Sequence, residues 1–410
     1  MSRAAIVVRT ANRPEILNRC IEQAVDGCSV AREAFWIILD DSSPEYRGPT
    51  REITRFWKRF GLRLACVDKT VEQEIAESLP EATLRNSFAH LVARRTASAT
   101  EGGRNLALVT GFSLNPDVLF LVDDDMVVRH EKNCFFHWCV NLERPDSFIA
   151  APRELGIRDM TYLERLKTLL NRDESVQFVS DAGLSADPES WYSPTNPLWN
   201  RGDNINDGAI MPARERRSLN GQLIAFRGKE AEFIPFPDEY NADLNWSLLQ
   251  AAFHGTALLE VGGANAQHLP PRIGHSNSKA IISELVGTAI TRALREIKPR
   301  GDQLMSTLAS RLPDVLRVEL KRQLLPFLAV ERAIQIRVMT CANNDESRGT
   351  LEKIQTTLAD AADRLKSIDP RQIACEWLND FADRHRMFLE LRRNEAVQLQ
   401  IRRILFDASV

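Results

Sequence analysis

Three consecutive acids, Asp123-Asp124-Asp125, close an apolar run, Val118–Val122 (VLFLV). Like charges repel and strand ends otherwise favour small turn residues, so a carboxylate cluster in this place calls for a counter-ion. A divalent cation is one such ion. Mg²⁺ and Mn²⁺ take carboxylate oxygens and commonly meet one or two of them together with substrate phosphates. In extended backbone Asp123 and Asp125 point to one side and Asp124 to the other. The same acids would also suit a solvated turn or a helix N-terminus that welcomes negative charge.

A second acid pair ends the strand-like FWIIL (Phe35–Leu39) as Asp40-Asp41-Ser42-Ser43, which reads either as a ligand loop or as an Asx- or Ser-type turn. Stepping outward, strand and helix signals alternate through the first half. Ala4–Arg9 is a strand, and Pro14–Ala24 is a helix with Pro at its start and Ile16, Leu17, Cys20, Ile21 and Ala24 on one stripe. Leu62–Val67 is a third strand, and a helix over Arg104–Phe112 leads into the acid-bearing strand. This alternation predicts an α/β sheet. In an open parallel sheet the carboxyl ends of the strands line one crevice, so both acid clusters can face one site.

The 410 residues, 44% hydrophobic and 27% charged, suffice for a substantial core in more than one domain. A formal net charge of −3 provides no global basic field toward nucleic acid or an anionic membrane, and leaves room for a local basic groove. No apolar run approaches the roughly 20 residues of a membrane span, and the N-terminus enters its first strand without a signal-peptide pattern. A cytoplasmic protein is the expectation. Seven scattered cysteines contain no CxxC pair and do not form a disulfide framework, so buried or partly buried thiols are expected. No GxxxxGK[ST], GxGxxG, HExxH, EF-hand loop or GxSxG occurs, which excludes a P-loop cradle and weakens a dinucleotide enzyme.

Four segments then fall in a telling order: VVRTANRPEILNRC (7–20), LDDSS (39–43), GGRNLAL (102–108) and VLFLVDDDM (118–126). Together they resemble the nucleotide-binding motifs of the inverting-type, GT-A-fold family 2 glycosyltransferases, and the resemblance spans roughly Ala4 to His275. It implies a GT-A-like, Rossmann-type mixed sheet flanked by helices, a UDP- or GDP-sugar donor, Mn²⁺ or Mg²⁺, and a hydroxyl acceptor. Arg9 and Thr10 then belong to the first nucleotide loop, Asp40 and Asp41 to the second with Asp41 on the base, and Arg104 to a helix reaching the nucleotide. Asp125 is the principal metal ligand, Asp123 shares the metal or holds ribose hydroxyls, and Asp124 touches ribose or is structural. Neutralising the pyrophosphate as the glycosidic bond breaks is the chemistry such a site performs.

The acceptor side resembles the family less closely. Asn220–Gly228 is similar to its acceptor-side strand, and a Pro-bounded acidic turn then runs into a helix with Leu244, Leu248, Ala251 and Ala252 at helical spacing. The family opens that helix with a Glu-Asp pair. Here the segment reads Asn241-Ala242-Asp243, so Asp243 alone stands in register as the general base, with Asp238 and Glu239 as weaker substitutes. Asp243 would serve equally as a helix N-terminal acid. His268 is the candidate additional metal ligand, or else a local hydrogen-bonding residue, and Lys279 in GHSNSK (274–279) is a candidate charge donor to pyrophosphate. The segment Pro152–Asn220, rich in Pro, Asn, Gly and Asp and carrying Trp191, Tyr192 and Trp199, reads as a lid or an ordered loop.

From Ser278 the pattern is all-helical, with one stripe over Ile281–Ile297 and later helices over Leu316–Val338, Leu351–Ile368 and Ile373–Leu405. The expected division is therefore 1–277, catalytic, with an acceptor or lid insertion at about 152–219, and 278–410, helical, offering a surface for homo-oligomerisation. A sugar nucleotidyltransferase is the alternative enzyme, although ANRPE lacks the glycines of its signature loop. A nucleotide-sugar-binding scaffold that has lost catalysis is the non-enzymatic alternative, motivated by the incomplete Glu-Asp pair.

Overall fold

The structure is a computed structural model that describes residues 3–93, 100–124, 126–128, 135–141, 149–156, 214–216, 223–227, 233–237, 242–254, 258–268, 278–298, 301–340 and 345–408. Its first half contains β1 (Ala4–Thr10), α1 (Pro14–Gly27), α2 (Ser29–Glu33), β2 (Phe35–Asp40), α3 (Pro44–Arg59), β3 (Arg63–Val67), α4 (Lys69–Ser78), α5 (Ala82–Val92), α6 (Thr100–Ser113) and β4 (Val118–Asp123). There follow β5 (Met126–Val128), α7 (Phe135–Asn141), β6 (Ile149–Gly156), β7 (Arg214–Arg216), β8 (Leu223–Arg227), α8 (Ala242–His254) and β9 (Leu258–His268).

The strands form one mixed sheet in the order β3-β2-β1-β4-β8-β6-β9-β5, with β7 against β9. Its β3-β2-β1-β4 part is parallel, and β8 adds antiparallel to β4. Strands covered on both faces read as continuous apolar runs rather than alternating ones, which explains FWIIL and VLFLV. The pleat then sorts them. Ile6, Val8, Trp36, Ile38, Phe120 and Val122 face a core shared with α1, α2 and α7, whereas Val7, Ile37, Leu39, Leu119 and Leu121 face α5, α6 and α8.

The C-terminal helices are α9 (Ser278–Ile297), α10 (Leu304–Thr340), α11 (Asp345–Ser367), α12 (Pro370–Arg393) and α13 (Glu395–Asp407). Residues of α9, α10, α12 and α13 belong to the same continuous core as the second sheet face. The sequence pattern starts its second helix at Leu316, yet α10 begins at Leu304. Leu304, Leu308, Leu312, Leu316 and Leu320 form one buried four-residue seam, and that burial offsets the hydrogen bond lost at Pro313. The expected helix over Ile373–Leu405 is two helices. Asn394 interrupts it and caps α13 by accepting from the Val397 amide at 3.1 Å. The described cysteines form no disulfide; burial pushes the Cys66 thiol up to about 12 and raises the Cys139 thiol well above its ordinary value, and Cys375 is exposed. Among the described residues no helix is long and apolar enough to cross a membrane.

Two local devices hold the site-bearing end. Asp68, at the carboxyl end of β3, caps α4 by accepting from the amides of Thr70 and Val71 at 2.9 and 3.1 Å, and pairs with Arg51 of α3. Asn105 of α6 is wholly buried and clamps the segment 233–237: its Nδ2 donates to the carbonyls of Leu91 and Phe236 at 3.2 and 3.1 Å, and its Oδ1 accepts from the Phe236 amide at 2.7 Å. Trp246 and Gln250 of α8 secure the same segment by donating to the Ile234 carbonyl at 2.8 and 2.9 Å.

Burial pushes the Asp68 carboxyl upward, but Arg51 and the two amides outweigh it and hold it below its ordinary 3.8. A folded-state pKa below the unfolded one contributes stability that is present above pH 3.8 and lost as pH falls through the folded value. Asp68→Asn is therefore expected to cost about 1 kcal/mol at neutral pH, and the gap from the parent protein should shrink in urea melts below pH 3.8; a gap constant down to the acid limit contradicts this. Asn105→Ala takes their partner from the buried amide and carbonyl of Phe236 and should lower unfolding free energy by about 2 to 4 kcal/mol, read as a lower urea midpoint at unchanged slope.

Candidate active site

In the order β3-β2-β1-β4 the chain winds outward from β1 to β3 and then crosses back to place β4 on the other side of β1. The reversal lies between β1 and β4. Ligand crevices of open α/β sheets form at such a point, beyond the strand carboxyl ends. Register pairs Arg9 with Asp123 across it and Thr10 with Asp40 on the neighbouring side.

The Arg9 guanidinium donates to Asp123 Oδ1 through Nε at 3.0 Å and Nη2 at 2.6 Å, and Arg104 Nη2 lies 3.5 Å from Oδ2. The Asp123 carboxylate keeps 17% side-chain exposure, so it faces the crevice while held by two cations. Asp124 turns the other way, as the pleat requires. It is 0% exposed, accepts from the Thr10 hydroxyl at 2.6 Å, and meets Arg13 Nη2 at 2.6 Å. A carboxylate removed from water needs such partners, and here they pin the turn after β1 beneath the crevice.

The loops after β1 and β2 are laced together. Asn12 sits in the left-handed region at φ 58°, which asparagine tolerates better than most residues. Its amide donates to Ser42 Oγ at 2.8 Å, and its Oδ1 accepts from the Ser43 amide at 2.7 Å and hydroxyl at 3.0 Å. Asp40 is buried and accepts from the Ser42 amide at 3.0 Å, forming the Asx-type turn; burial raises its carboxyl and the Ser42 hydrogen bonds pull it back in part. Asp41 is partly exposed, its amide donates to the Thr10 carbonyl at 2.9 Å, and Lys69 Nζ of α4 lies 3.7 Å from Oδ1. A Cβ on Gly103, in the first turn of α6, would come 3.4 Å from Asp41 Oδ2 and 3.6 Å from Arg9 Cδ. The amino end of α6 thus abuts the same cluster.

Arg104 links the two halves of the site. Its guanidinium lies over the Phe236 ring at 5.5 Å, and that ring stacks on Trp246 of α8 at 4.6 Å and 19°. Asp243 is the second residue of α8, directly downstream of the clamped segment. His268 ends β9, where its backbone pairs with Met126, the residue after Asp125. Asp125 and Lys279 fare differently: Asp125 lies outside the described residues, as do Asp238, Glu239 and most of the aromatic segment 152–219, whereas Lys279 opens α9 on its exposed side. Among the described residues no three His, Cys, Asp or Glu side chains cluster as a metal site.

Arg9, Thr10, Asp40, Asp41, Arg104, Asp123 and Asp124 are therefore gathered at one end of the parallel strands. Arg13, Asn12, Lys69 and Asn105 join them and escape a motif-based reading. The sequence signal for Arg13 and Asn12 is their place just before Pro14, a helix-starting proline; Asn105 is visible only as the neighbour of Arg104.

No family model matches the chain, and no curated protein matches it. Solved structures similar to it include a Pyrobaculum calidifontis mannosyltransferase, PcManGT, in complex with GDP-Man and Mn²⁺, at 12% identity and a TM-score of 0.40 over 93% of this chain and 86% of that one. Another is S. aureus TarS in complex with UDP-GlcNAc, at 11% identity and a TM-score of 0.39 over 95% and 91%. A third is the Mycobacterium tuberculosis glucosyl-3-phosphoglycerate synthase in complex with Mn²⁺, UDP and glucosyl-3-phosphoglycerate, at 14% identity and a TM-score of 0.35 over 76% and 80%. The ligands named are those proteins' own.

Proposed function

We propose that the chain is a metal-dependent glycosyltransferase of GT-A-like architecture that moves a sugar from a UDP- or GDP-sugar to a hydroxyl acceptor with inversion. One observation carries this reading: Arg9, Asp123 and Arg104 meet across the β1/β4 switch point, with Asp41 on the adjoining loop. Fixed cations beside a part-exposed carboxylate at a strand carboxyl end suit a diphosphate and its metal.

The donor set fits Mn²⁺ or Mg²⁺. Asp123 faces the crevice, Asp124 is committed to Thr10 and Arg13, and the backbone of His268 lies beside the residue following Asp125. Asp123, Asp125 and His268 would hold the ion, two carboxylates being enough when substrate phosphates complete the shell. The bound ion supplies Lewis-acid neutralisation of the pyrophosphate. Asp41 would accept from the base, and Arg9 and Arg104 would exchange their contact with Asp123 for the phosphates. Asp243 would take the acceptor hydroxyl proton as the acceptor oxygen bonds to the anomeric carbon and the bond from that carbon to the diphosphate oxygen breaks. The nucleoside diphosphate leaves with the bonding pair. Residues 1–277 form the catalytic part in this reading and 278–410 its helical companion, in a cytoplasmic protein.

Calorimetry with UDP and GDP, with and without Mn²⁺, tests the donor site. One nucleotide should bind only with metal, and Asp125→Ala should weaken that binding at least about tenfold; metal-independent binding untouched by Asp125→Ala removes the proposed site. Asp243→Asn should keep nucleotide affinity within about twofold while slowing transfer by about a hundredfold or more. Consumption of a nucleoside triphosphate with release of pyrophosphate would assign the site to nucleotidyl transfer instead.

A further inference from the structure

At the opposite end of the parallel strands, the last turns of α3 and the residue after them present exposed aromatic rings. Phe56 is 47% exposed and Phe60 69% exposed, their rings 4.5 Å apart and tilted by 41°. Trp57 anchors them from below: its ring lies 5.4 Å from Phe56 and its indole N–H donates to Asn18 Oδ1 at 2.9 Å. Between residues 52 and 63 the chain carries Arg55, Lys58, Arg59 and Arg63 against a single acid, Glu52. Arg55 and Arg59 are exposed and form no ion pair among the described residues.

The end of α13 lies beside the other flank of α3. Lys58 Nζ donates to the Ala408 carbonyl at 2.9 Å, and Phe406, 47% exposed, packs edge-on against Phe35 at 5.3 Å. Leu399 is exposed on the same helix. Phe56 and Phe60 therefore share the outer side of α3 with the exposed Arg55 and Arg59, on a chain whose net charge is −3. A net charge of that sign gives no reason for a basic cluster, so its local density is the informative quantity.

We propose that this end of the molecule docks on an anionic lipid bilayer as a peripheral interface. Rings at a basic surface combine the two terms that hold a protein in the headgroup region, apolar insertion and attraction to acidic lipids. The charge complement selects the anionic surface. Phe56 and Phe60 stand exposed on the outside of a helix, a placement that suits insertion among headgroups better than the charged groove that tracks a nucleic-acid strand. The positive-φ turn at Gly61, φ 91°, ends α3 and leaves Phe60 at the protruding corner. Phe35 and Arg63 start β2 and β3, so the patch lies at the amino ends of strands whose carboxyl ends bear the candidate active site. Docking turns that site away from the bilayer by roughly 20 Å, the length of a six-residue strand.

Flotation of the full chain with phosphatidylcholine vesicles, with and without phosphatidylglycerol, tests the inference. Recovery is expected with the anionic vesicles only, at about 0.05 M NaCl, and should be lost at about 0.5 M as screening shortens. Arg55→Glu with Arg59→Glu should lower partition at least about tenfold, and Phe56→Ser with Phe60→Ser about tenfold. Leu325→Ser, on an exposed face of α10, should change nothing. Should the double phenylalanine variant melt early, Phe60→Ser alone carries the same comparison. Absence of flotation at low salt, or equal flotation of the variants, overturns the proposal, as does capture by an RNA oligonucleotide in place of vesicles.

Discussion

The contact between Arg9 and Asp123 sets most of the site. It exists because β1 and β4 are neighbours in parallel register at the point where the sheet order reverses. Parallel neighbours that are separated by two other strands in sequence can meet only after the chain has built β2, β3, α4, α5 and α6, so the pair is a product of the whole first half. Its electrostatics are divided by the pleat. Adjacent carboxylates of Asp123 and Asp124 would repel on one face; on opposite faces each finds its own arginine, Arg9 above and Arg13 below. Asp124 carries the larger desolvation penalty, being wholly buried, and so requires both Thr10 and Arg13. Asp123 remains at the crevice, where solvent or a ligand can compete for its partners.

From this pair the constraint spreads through Arg104 and Asn105, adjacent residues that point to different tasks. Arg104 reaches back to Asp123 and over the Phe236 ring, whereas Asn105 satisfies both backbone groups of Phe236. Among the described residues the segment 233–237 pairs with no strand, and its polar backbone is made tolerable in a buried place by Asn105, Trp246 and Gln250. The β1/β4 end of the sheet and the segment leading to α8 are thereby tied through two consecutive side chains of one helix.

The parallel strands, α1 and α6 are legible because their signals are local: apolar runs of strand length, Pro at the first position of α1, and acids at the strand ends. The gathering of Arg9, Asp41, Arg104 and Asp123 was legible only as a motif order, since no local rule states that β4 lies beside β1. The sequence pattern does not announce α2 or α3, nor does it announce α4 and α5. Their stripes are short and polar-rich, and α4 owes its start to the Asp68 cap rather than to strong periodicity. Arg13 and Asn12 were missed for a different reason. Each works through a partner about 30 or more than 100 residues away, Ser42 or Asp124, and such pairings leave no trace in spacing. At Pro313 of α10 helix-breaking propensity yields to a buried leucine seam, which carries the helix back to Leu304, ahead of the Leu316 start that the sequence pattern predicts.

The helical region is bound to the site by α6. At its carboxyl end the Ser113 carbonyl accepts from Arg402 Nε of α13 at 2.8 Å, and Phe112 lies under the Arg392 guanidinium of α12 at 4.3 Å. At its amino end Gly103 and Arg104 abut Asp41, Arg9 and Asp123. Eight to ten residues of this helix separate these attachments, roughly 12 to 15 Å. Arg384 of α12, wholly buried, adds a second tie by reaching Asp380 at 2.6 Å and the Leu91 carbonyl at 3.3 Å, and Leu91 also receives Asn105. A sheet face built from Val7, Ile37, Leu119 and Leu121 must be covered, and α6 covers it only while α12 and α13 hold its far side. The C-terminal helices therefore fix the axial position of α6, and with it the distance at which Arg104 meets Asp123.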